Sequence, residues 1–310
     1  MRYIIVGFGN IGHKRAQVLG KKLVATVDPR KDTKADYKDS KDAPLEIFDT
    51  AVLTVPQQLK YGLTQYFLSK GKNVLVEKPL IITPKQGKIL QNLAKKTGAV
   101  WHTSYNHRFE PNIIKFQKLV ASGFLGKIYH GRFVYSFGNI NERIGTWRET
   151  EFGVLEEIAP HLLDFAISFF GYKGKDFQAF ISNKNEAKIF DHFTFITNDK
   201  RMVIETSSVT WKYQFLLEVF GSKGSLHLSG LRKWGGSKLI KRIRAFPSGA
   251  PKEEYLEDSG PDLTWQKDFK YFEKLVEEKR NSLKNDSEMS LALAKITRGG
   301  NKIYAEINKG

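Results

Sequence analysis

Residues 2–12 read RYIIVGFGNIG. The apolar run to Val6 predicts a short buried strand, and the three glycines that follow open a helical pattern from about Ile11 to Leu19, closed by Gly20. A second apolar strand, Leu23–Val27, ends on Asp28. This is G-x-G-x-x-G between strand and helix, with an acid 21 residues after Gly7. Gly7 allows the tight turn, Gly9 lets a pyrophosphate approach the backbone, and Gly12 lets helix and strand pack closely. The turn residues Asn10 and Ile11 lie at the helix start, where free amides and the positive dipole end favour phosphate. Asp28 suits ribose hydroxyls and so favours NAD, because its carboxylate would repel a 2′-phosphate. Arg30, with Lys31 beside it, leaves NADP open.

The alternation continues outward. Ala51–Val55 predicts a strand ending at Pro56, and Leu59, Leu63, Tyr66 and Phe67 mark a helix that stops at Gly71. Residues 73–80, NVLVEKPL, begin as a core strand and break into Glu77-Lys78-Pro79. Thr83 can cap a helix with Pro84 at its first position, and residues 99–105 predict another strand. Such alternation predicts an α/β fold with a doubly wound parallel sheet of Rossmann type. Ligands in these sheets sit beyond the carboxyl ends of the strands. Val55, Pro56, Glu77 and Lys78 fall there and join the expected cofactor set. Residues 29–50 leave room for only one short helix and one short strand.

From Lys127 the pattern changes. Strand-like runs recur at 127–137, 176–182, 191–197, 202–211, 215–220, 225–229 and 239–246, with Gly221–Gly224 as a hairpin turn. Several runs alternate polar and apolar residues, as a large open, mostly antiparallel sheet requires. The expected division is a dinucleotide domain over 1–122 and an α+β substrate and oligomerisation domain over 123–286. Two closing helices, about 263–279 and 287–308, return toward the first domain.

The 310 residues contain no cysteine, which excludes disulfides, thiolate metal sites and a cysteine nucleophile. No metal dependence is expected. Hydrophobic residues make up 41%, enough for a sizeable core, yet no run is long enough to span a membrane or act as a signal peptide. A cytoplasmic location with no membrane partner is expected. The net charge of +17 is spread over scattered lysines without a nucleic-acid motif, so it raises the local concentration of anionic small molecules and predicts no nucleic-acid partner.

With Glu77-Lys78-Pro79 added to the glycine turn, the sequence resembles the Gfo/Idh/MocA oxidoreductase family, named for glucose–fructose oxidoreductase and inositol dehydrogenase. The resemblance runs through Gly71–Pro79, Tyr105-Asn106-His107-Arg108-Phe109, Gly123–Lys127 and the helix Gly153–Asp164, GVLEEIAPHLLD. It implies transfer of a hydride between NAD(P) and a hydroxyl or keto carbon of a sugar or nucleotide-sugar, in surface-polysaccharide synthesis. It also implies a homo-oligomer, dimer or tetramer, joined through the open sheet. A non-catalytic sensor of the same fold, binding dinucleotide and sugar, is the alternative. Three departures stand out. Lys60 replaces a histidine, Glu157 replaces an aspartate, and Ala159-Pro160 interrupts the helix, where proline predicts a kink.

The resemblance places Lys78 at the substrate hydroxyl as the acid/base, and His161 as the second proton-transfer group. Glu157 precedes His161 by one helical turn and could orient the imidazole. Lys78 and His161 are expected to converge on one reactive carbon. Asp164, Asn106, Arg108, Trp147 and Arg148 are candidate substrate contacts, the arginines suiting a carboxylate or phosphate.

Overall fold

Every strand of the first sheet ends on the same edge, and the register shows how. In the computed structural model, which describes residues 1–146, 149, 150, 152–281 and 284–307, β1 (Tyr3–Val6) pairs with β2 (Leu23–Val27) and β3 (Thr50–Leu53). Helix α1 (Asn10–Leu19) links the first two strands, and α2 (Gln57–Ser69) leads from β3 to β4 (Asn73–Glu77). Helix α3 (Pro84–Thr97) then leads to β5 (Trp101–Ser104). All pairings are parallel, in the order β2-β1-β3-β4-β5. Val6 lies opposite Val27 and Leu53, Leu53 opposite Val76, and Glu77 opposite Ser104. Gly7, Asp28, Thr54 and Lys78 therefore leave the sheet side by side. The winding direction reverses between β1 and β3, where open α/β sheets take their ligands.

The two faces of this sheet are packed separately, because strand side chains alternate. Ile4, Val6, Leu53, Val74 and Val76 meet Phe67 and Leu68 of α2 and Leu90 of α3. Tyr3, Ile5, Val52 and Leu75 meet Leu19 of α1 and Phe269, Phe272 and Leu275 of a helix near the far end of the chain. Thr83 caps α3 in a reciprocal capping box with Gln86, and Gly98 ends it in the left-handed conformation, as their residue types require. Between Asp28 and Thr50 the expected short helix and strand do not form. The segment holds one 3-10 turn, Leu45–Ile47, and a single bridge from Tyr37 to Val27. Side-chain acceptors replace a ladder there, since Asp36 takes both the amide and the hydroxyl of Thr26.

The second sheet has eight strands. Helix α4 (Pro111–Ala121) precedes β6 (Ile128–Gly138), and α5 (Val154–Glu157) and α6 (Ala159–Phe170) follow it. Next come β7 (Phe177–Asn183), β8 (His192–Thr197), β9 (Met202–Ser207), β10 (Val209–Gly221), β11 (Gly224–Leu231), β12 (Gly236–Ile243) and β13 (Lys252–Asp258). The order is β13-β12-β11-β10-β6-β9-β8-β7, antiparallel except for β6 against β9. Phe165 and Phe170 of α6 pack on Phe215 and Phe133. The chain closes with α7 (Thr264–Glu277), the helix that covers the first sheet, and α8 (Lys284–Ile307). No described helix is long and apolar enough to cross a membrane.

The chain forms two compact units, Met1–Asn106 with Trp265–Ser290, and His107–Thr264 with Leu291–Gly310. The division falls at 106 and not at the anticipated 122 because α4 is tied to the second sheet: Asn112 Nδ2 donates to Ser237 O at 3.2 Å and to its hydroxyl at 3.0 Å. Helix α8 contributes to both units. Ser290 near its start accepts from Ile82 N at 2.9 Å, and Gly300 O further along accepts from the Ser182 hydroxyl at 2.8 Å.

Glu110, at the N-cap of α4, is 2% exposed and accepts from Arg232 N at 3.1 Å. Burial, then the charge of Asp262, push its carboxyl up to about 7, against the opposing pull of Arg232. A raised carboxyl contributes stability below its ordinary range and loses it as pH rises through 7. Glu110→Gln should therefore raise the melting temperature at pH 8 and leave it nearly unchanged at pH 4. The stabilisation at pH 8 should be on the order of 2 kcal/mol, read by calorimetry at both pH values.

Candidate functional site

The glycine turn is built so that nothing larger fits. Gly7 has φ +93°, and a Cβ there would lie 2.6 Å from Thr54 O. A Cβ on Gly12 would collide with Gly7 O. Gly7 N donates to Val27 O at 2.8 Å and Thr54 N to Val6 O at 2.9 Å, which fixes the turn across three strands. Helix α1 begins after Gly9 with no side-chain cap and no acidic residue in its first turn. Its amides at Asn10, Ile11 and Gly12 stay available to an anion, so the cradle fits the pyrophosphate of a dinucleotide.

Asp28 is 3% exposed and already engaged. Its Oδ2 accepts from Phe8 N at 2.7 Å and Arg30 Nη2 at 2.9 Å, and its Oδ1 accepts from Arg30 Nε at 2.9 Å and Arg30 N at 3.0 Å. Burial alone would raise the carboxyl, but the bonds from Arg30 and Phe8 outweigh it and hold the carboxyl below its usual range. A ribose reaching Asp28 must displace the half-exposed Arg30 side chain. The same guanidinium stands 3.7 Å from where a Cβ on Gly9 would be, beside the phosphate cradle.

Val55 and Pro56 follow β3, and Pro56 is the N-cap of α2. Glu77 ends β4 and accepts from Arg15 Nε at 2.7 Å. Arg15 is fully buried, and sequence reasoning missed it. It also reaches Asp268 at 3.1 Å and Ser104, and its guanidinium lies 4.3 Å from the centre of the Trp265 ring. Asp268 in turn pairs with His102 at 2.9 Å. The only signal was a lone arginine among apolar helix positions. Lys78 is half-buried, and its bond to Pro79 is cis. Lys60, also missed as a functional residue, is buried beneath them.

In the second unit His161 is 6% exposed on α6. Its ring stacks on His107 at 3.9 Å and 10°, and lies 5.9 Å from Tyr135. Lys233 donates to the Tyr135 hydroxyl at 2.7 Å. Burial, then the charge of Glu157, push that phenol above its usual range. The expected kink is a full break: α5 ends at Glu157, and Pro160 lies in the first turn of α6, where a missing amide costs nothing. Glu157 pairs with the buried Arg143 at 2.7 Å. Asp164, anticipated at a sugar hydroxyl, is fully buried, and both its oxygens accept from Arg108, at 2.6 Å through Nε. Asn106 is 9% exposed in the turn after β5. Trp147 and Arg148 lie outside the described residues. Among the described residues no group of three or more His, Asp or Glu side chains is placed to hold a metal.

The structure thus gathers Gly7, Gly9, Asn10, Ile11, Gly12, Asp28, Arg30, Val55, Pro56, Glu77 and Lys78 on one edge of the first sheet. Glu157 and His161 lie on successive helices of the second unit. A parallel sheet carrying this glycine turn and acid defines a dinucleotide-binding unit. Residues 1–105 match the family model for the oxidoreductase family with an NAD-binding Rossmann fold, and residues 113–227 match the GFO/IDH/MocA C-terminal domain. The chain belongs to the Gfo/Idh/MocA oxidoreductase family.

Among its relatives, the uncharacterized oxidoreductase YdgJ of Escherichia coli is 29% identical over 59% of this chain and 54% of its own length. The scyllo-inositol 2-dehydrogenase (NADP(+)) IolW of Bacillus subtilis is 25% identical over 47% of this chain and 41% of its own. The chain spans about half the length, or less, of these curated relatives. Levoglucosan dehydrogenase in complex with NADH superposes with a TM-score of 0.81 at 15% identity, covering 97% of each chain. The UDP-N-acetylglucosamine 3-dehydrogenase GnnA of Acidithiobacillus ferrooxidans gives 0.77 at 16%, covering 96% of this chain and 97% of its own. At such identities these likenesses establish the fold.

Asp28→Ala should weaken NAD binding about 10-fold or more, the worth of a charge-assisted hydrogen bond to ribose. NADP should be affected less, since Arg30 is then released. Titration of both cofactors by fluorescence checks this, and equal losses would show that Asp28 does not discriminate.

Proposed function

We propose that this protein is an NAD(P)-dependent oxidoreductase acting on a hydroxyl-bearing carbon of a sugar or nucleotide-sugar. The observation that carries the reading is the shared sheet edge: the phosphate cradle after β1 and Lys78 after β4 leave the sheet in register, with β3 between them. A bound nicotinamide would supply the hydride acceptor or donor there. The protein must then take up the alcohol proton as the hydride leaves, and return it in the reverse direction. We assign that proton to Lys78, with His161 as the second exchanging group and Glu157, four residues before it and paired with Arg143, as its neighbouring charge. Burial and the Arg108 pair give Asp164 a structural part in this scheme, and Asn106 and Arg108 remain substrate candidates among the described residues.

Sugars are favoured by the relatives that act on inositol and on a UDP-sugar. A stacked pair in the second unit also fits them. Tyr213 and Trp234 lie 4.6 Å apart at 19°, with Tyr213 60% exposed, and Trp234 touches Tyr135, the neighbour of His161. Aromatic faces of this kind suit the apolar face of a sugar ring. The net charge of +17 favours an anionic substrate, as in surface-sugar synthesis. We further propose a cytoplasmic homo-oligomer joined across the helix-free face of the second sheet, where Val203, Arg132, Glu218, His227, Ile240 and Tyr255 lie in one cross-strand row.

The test is to incubate the full chain with NAD, NADP or their reduced forms and a panel of free, phosphorylated and UDP-linked sugars, following nicotinamide absorbance. Turnover of a sugar supports the reading. Tight binding of dinucleotide and sugar with no turnover anywhere in the panel would favour a sensor.

A further inference from the structure

We propose that Lys60 is a positioning residue for Lys78, an inference that rests on the catalytic part assigned to Lys78 above. Lys60 stands in the first turn of α2 and is 4% exposed. Its Nζ donates to Lys78 O at 3.1 Å and to Pro79 O at 2.9 Å. It thus grips the backbone on both sides of the Lys78–Pro79 bond.

The surrounding bonds show why such a grip is needed. After β4 the chain has no partner strand, and its carbonyls face side-chain donors instead. Lys60 takes those of Lys78 and Pro79, Gln57 Nε2 donates to Ile81 O at 3.0 Å, and the Ser290 hydroxyl, which is nearer Asp286 O at 2.7 Å, lies 3.3 Å from Leu80 O. Of these three side chains only Lys60 holds the backbone of Lys78 itself. A buried ammonium is expensive unless its protons are bonded. Methionine would fill similar space without that cost, so packing alone does not call for a lysine here. What the ammonium adds is several donors on one atom, enough to hold two adjacent carbonyls at once. The histidine that the family resemblance leads one to expect at this position could aim only one ring N–H at them.

Fixing the Lys78 backbone limits where its amine can go. Loss of the grip should therefore reach the reaction step more than the phosphate and ribose ends of cofactor binding, which are assigned to Gly7–Gly12 and Asp28. The test uses Lys60→Met and Lys60→His in the full chain, each with three readouts. Lys60→Met should lower kcat roughly 10- to 100-fold, the scale of a misplacement of about 1 Å. NADH affinity should stay within about twofold. Amide hydrogen exchange at residues 78 and 80–82 should speed up while the rest of the first sheet is unchanged. Lys60→His, which keeps one donor, should recover part of both losses, and it serves as the primary test if the methionine variant does not fold.

Unchanged exchange in this segment overturns the proposal whatever Lys78 does. A Lys60→Met/Lys78→Met double variant slower than Lys78→Met alone also overturns it, since Lys60 would then act by another route. If Lys78→Met turns over normally while Lys60→Met still loosens the segment, the catalytic assignment fails and the positioning contact stands.

Discussion

Lys78→Met should lower kcat at least about 1,000-fold while leaving the affinity for NADH within about twofold, as expected when the group exchanging the substrate proton is removed. The dissociation of the two readouts follows from the register. Lys78 leaves the sheet after β4, whereas the phosphate cradle and Asp28 follow β1 and β2. Methionine keeps the length and apolar stem of lysine but cannot take up a proton. Stopped-flow absorbance at 340 nm, at saturating substrate, separates the hydride step from release. A variant with wild-type kcat would remove Lys78 from the chemistry. Combining it with His161→Ala sharpens the test, because two residues that serve one proton lose less together than the sum of their separate losses. Fully additive losses would mean that the lysine and the histidine serve different steps.

The second large effect concerns stability. Asp268→Ala should destabilise the first unit by about 3–5 kcal/mol, since it leaves Arg15 and His102 without their buried partner. Arg15 and Asp268 are fully buried, their side chains meeting at 3.1 Å, and His102 is 1% exposed. Asp268→Asn, which keeps the shape and one acceptor, should cost less. The melting temperature of the alanine variant should fall by roughly 10 °C. Burial alone would raise the Asp268 carboxyl, but His102, Arg15 and Ser104 outweigh it and hold it at about 2. A depressed carboxyl contributes stability above its ordinary range and loses it as pH falls toward 2. The gap between wild type and Asp268→Ala should therefore be full at pH 7 and narrow in strong acid. A gap independent of pH would show that packing, not charge, is what Asp268 supplies.

Much of the first unit was legible because its signals are local. Glycines at 7, 9 and 12 and an apolar strand on each side state the turn chemistry outright, and Thr83-Pro84 announces its helix. The segment after Asp28 was less so. Its short polar stretches could close as a helix or strand, but they are satisfied by side chains such as Asp36. In the second unit, β13 escaped the reading because Lys252–Asp258, KEEYLED, lacks an apolar face. Its partner explains it: Lys241 meets Glu254 at 3.0 Å and Arg242 meets Glu253 at 2.5 Å across β12. That is information no single strand contains. The same holds at the site. Arg15, Lys60 and Arg143 look like surface charges in the sequence, and only the fold reveals that each is buried against a named carboxylate or carbonyl. Asp164 is the opposite case: helical spacing placed it well, but spacing could not show that Arg108 takes both its oxygens.

The stretch from Gly20 to Asp49 holds strand β2, the residues Asp28 and Arg30 proposed for the adenosine side, and after them only one 3-10 turn, and it ends before β3. Arg15, which secures Glu77, lies just upstream of it. Exchanging residues 20–49 as a cassette between relatives should therefore retune nicotinamide-cofactor choice without disturbing Lys78, to which we assign the substrate proton, whereas a graft that begins a few residues earlier would carry away the arginine on which that lysine's neighbour depends.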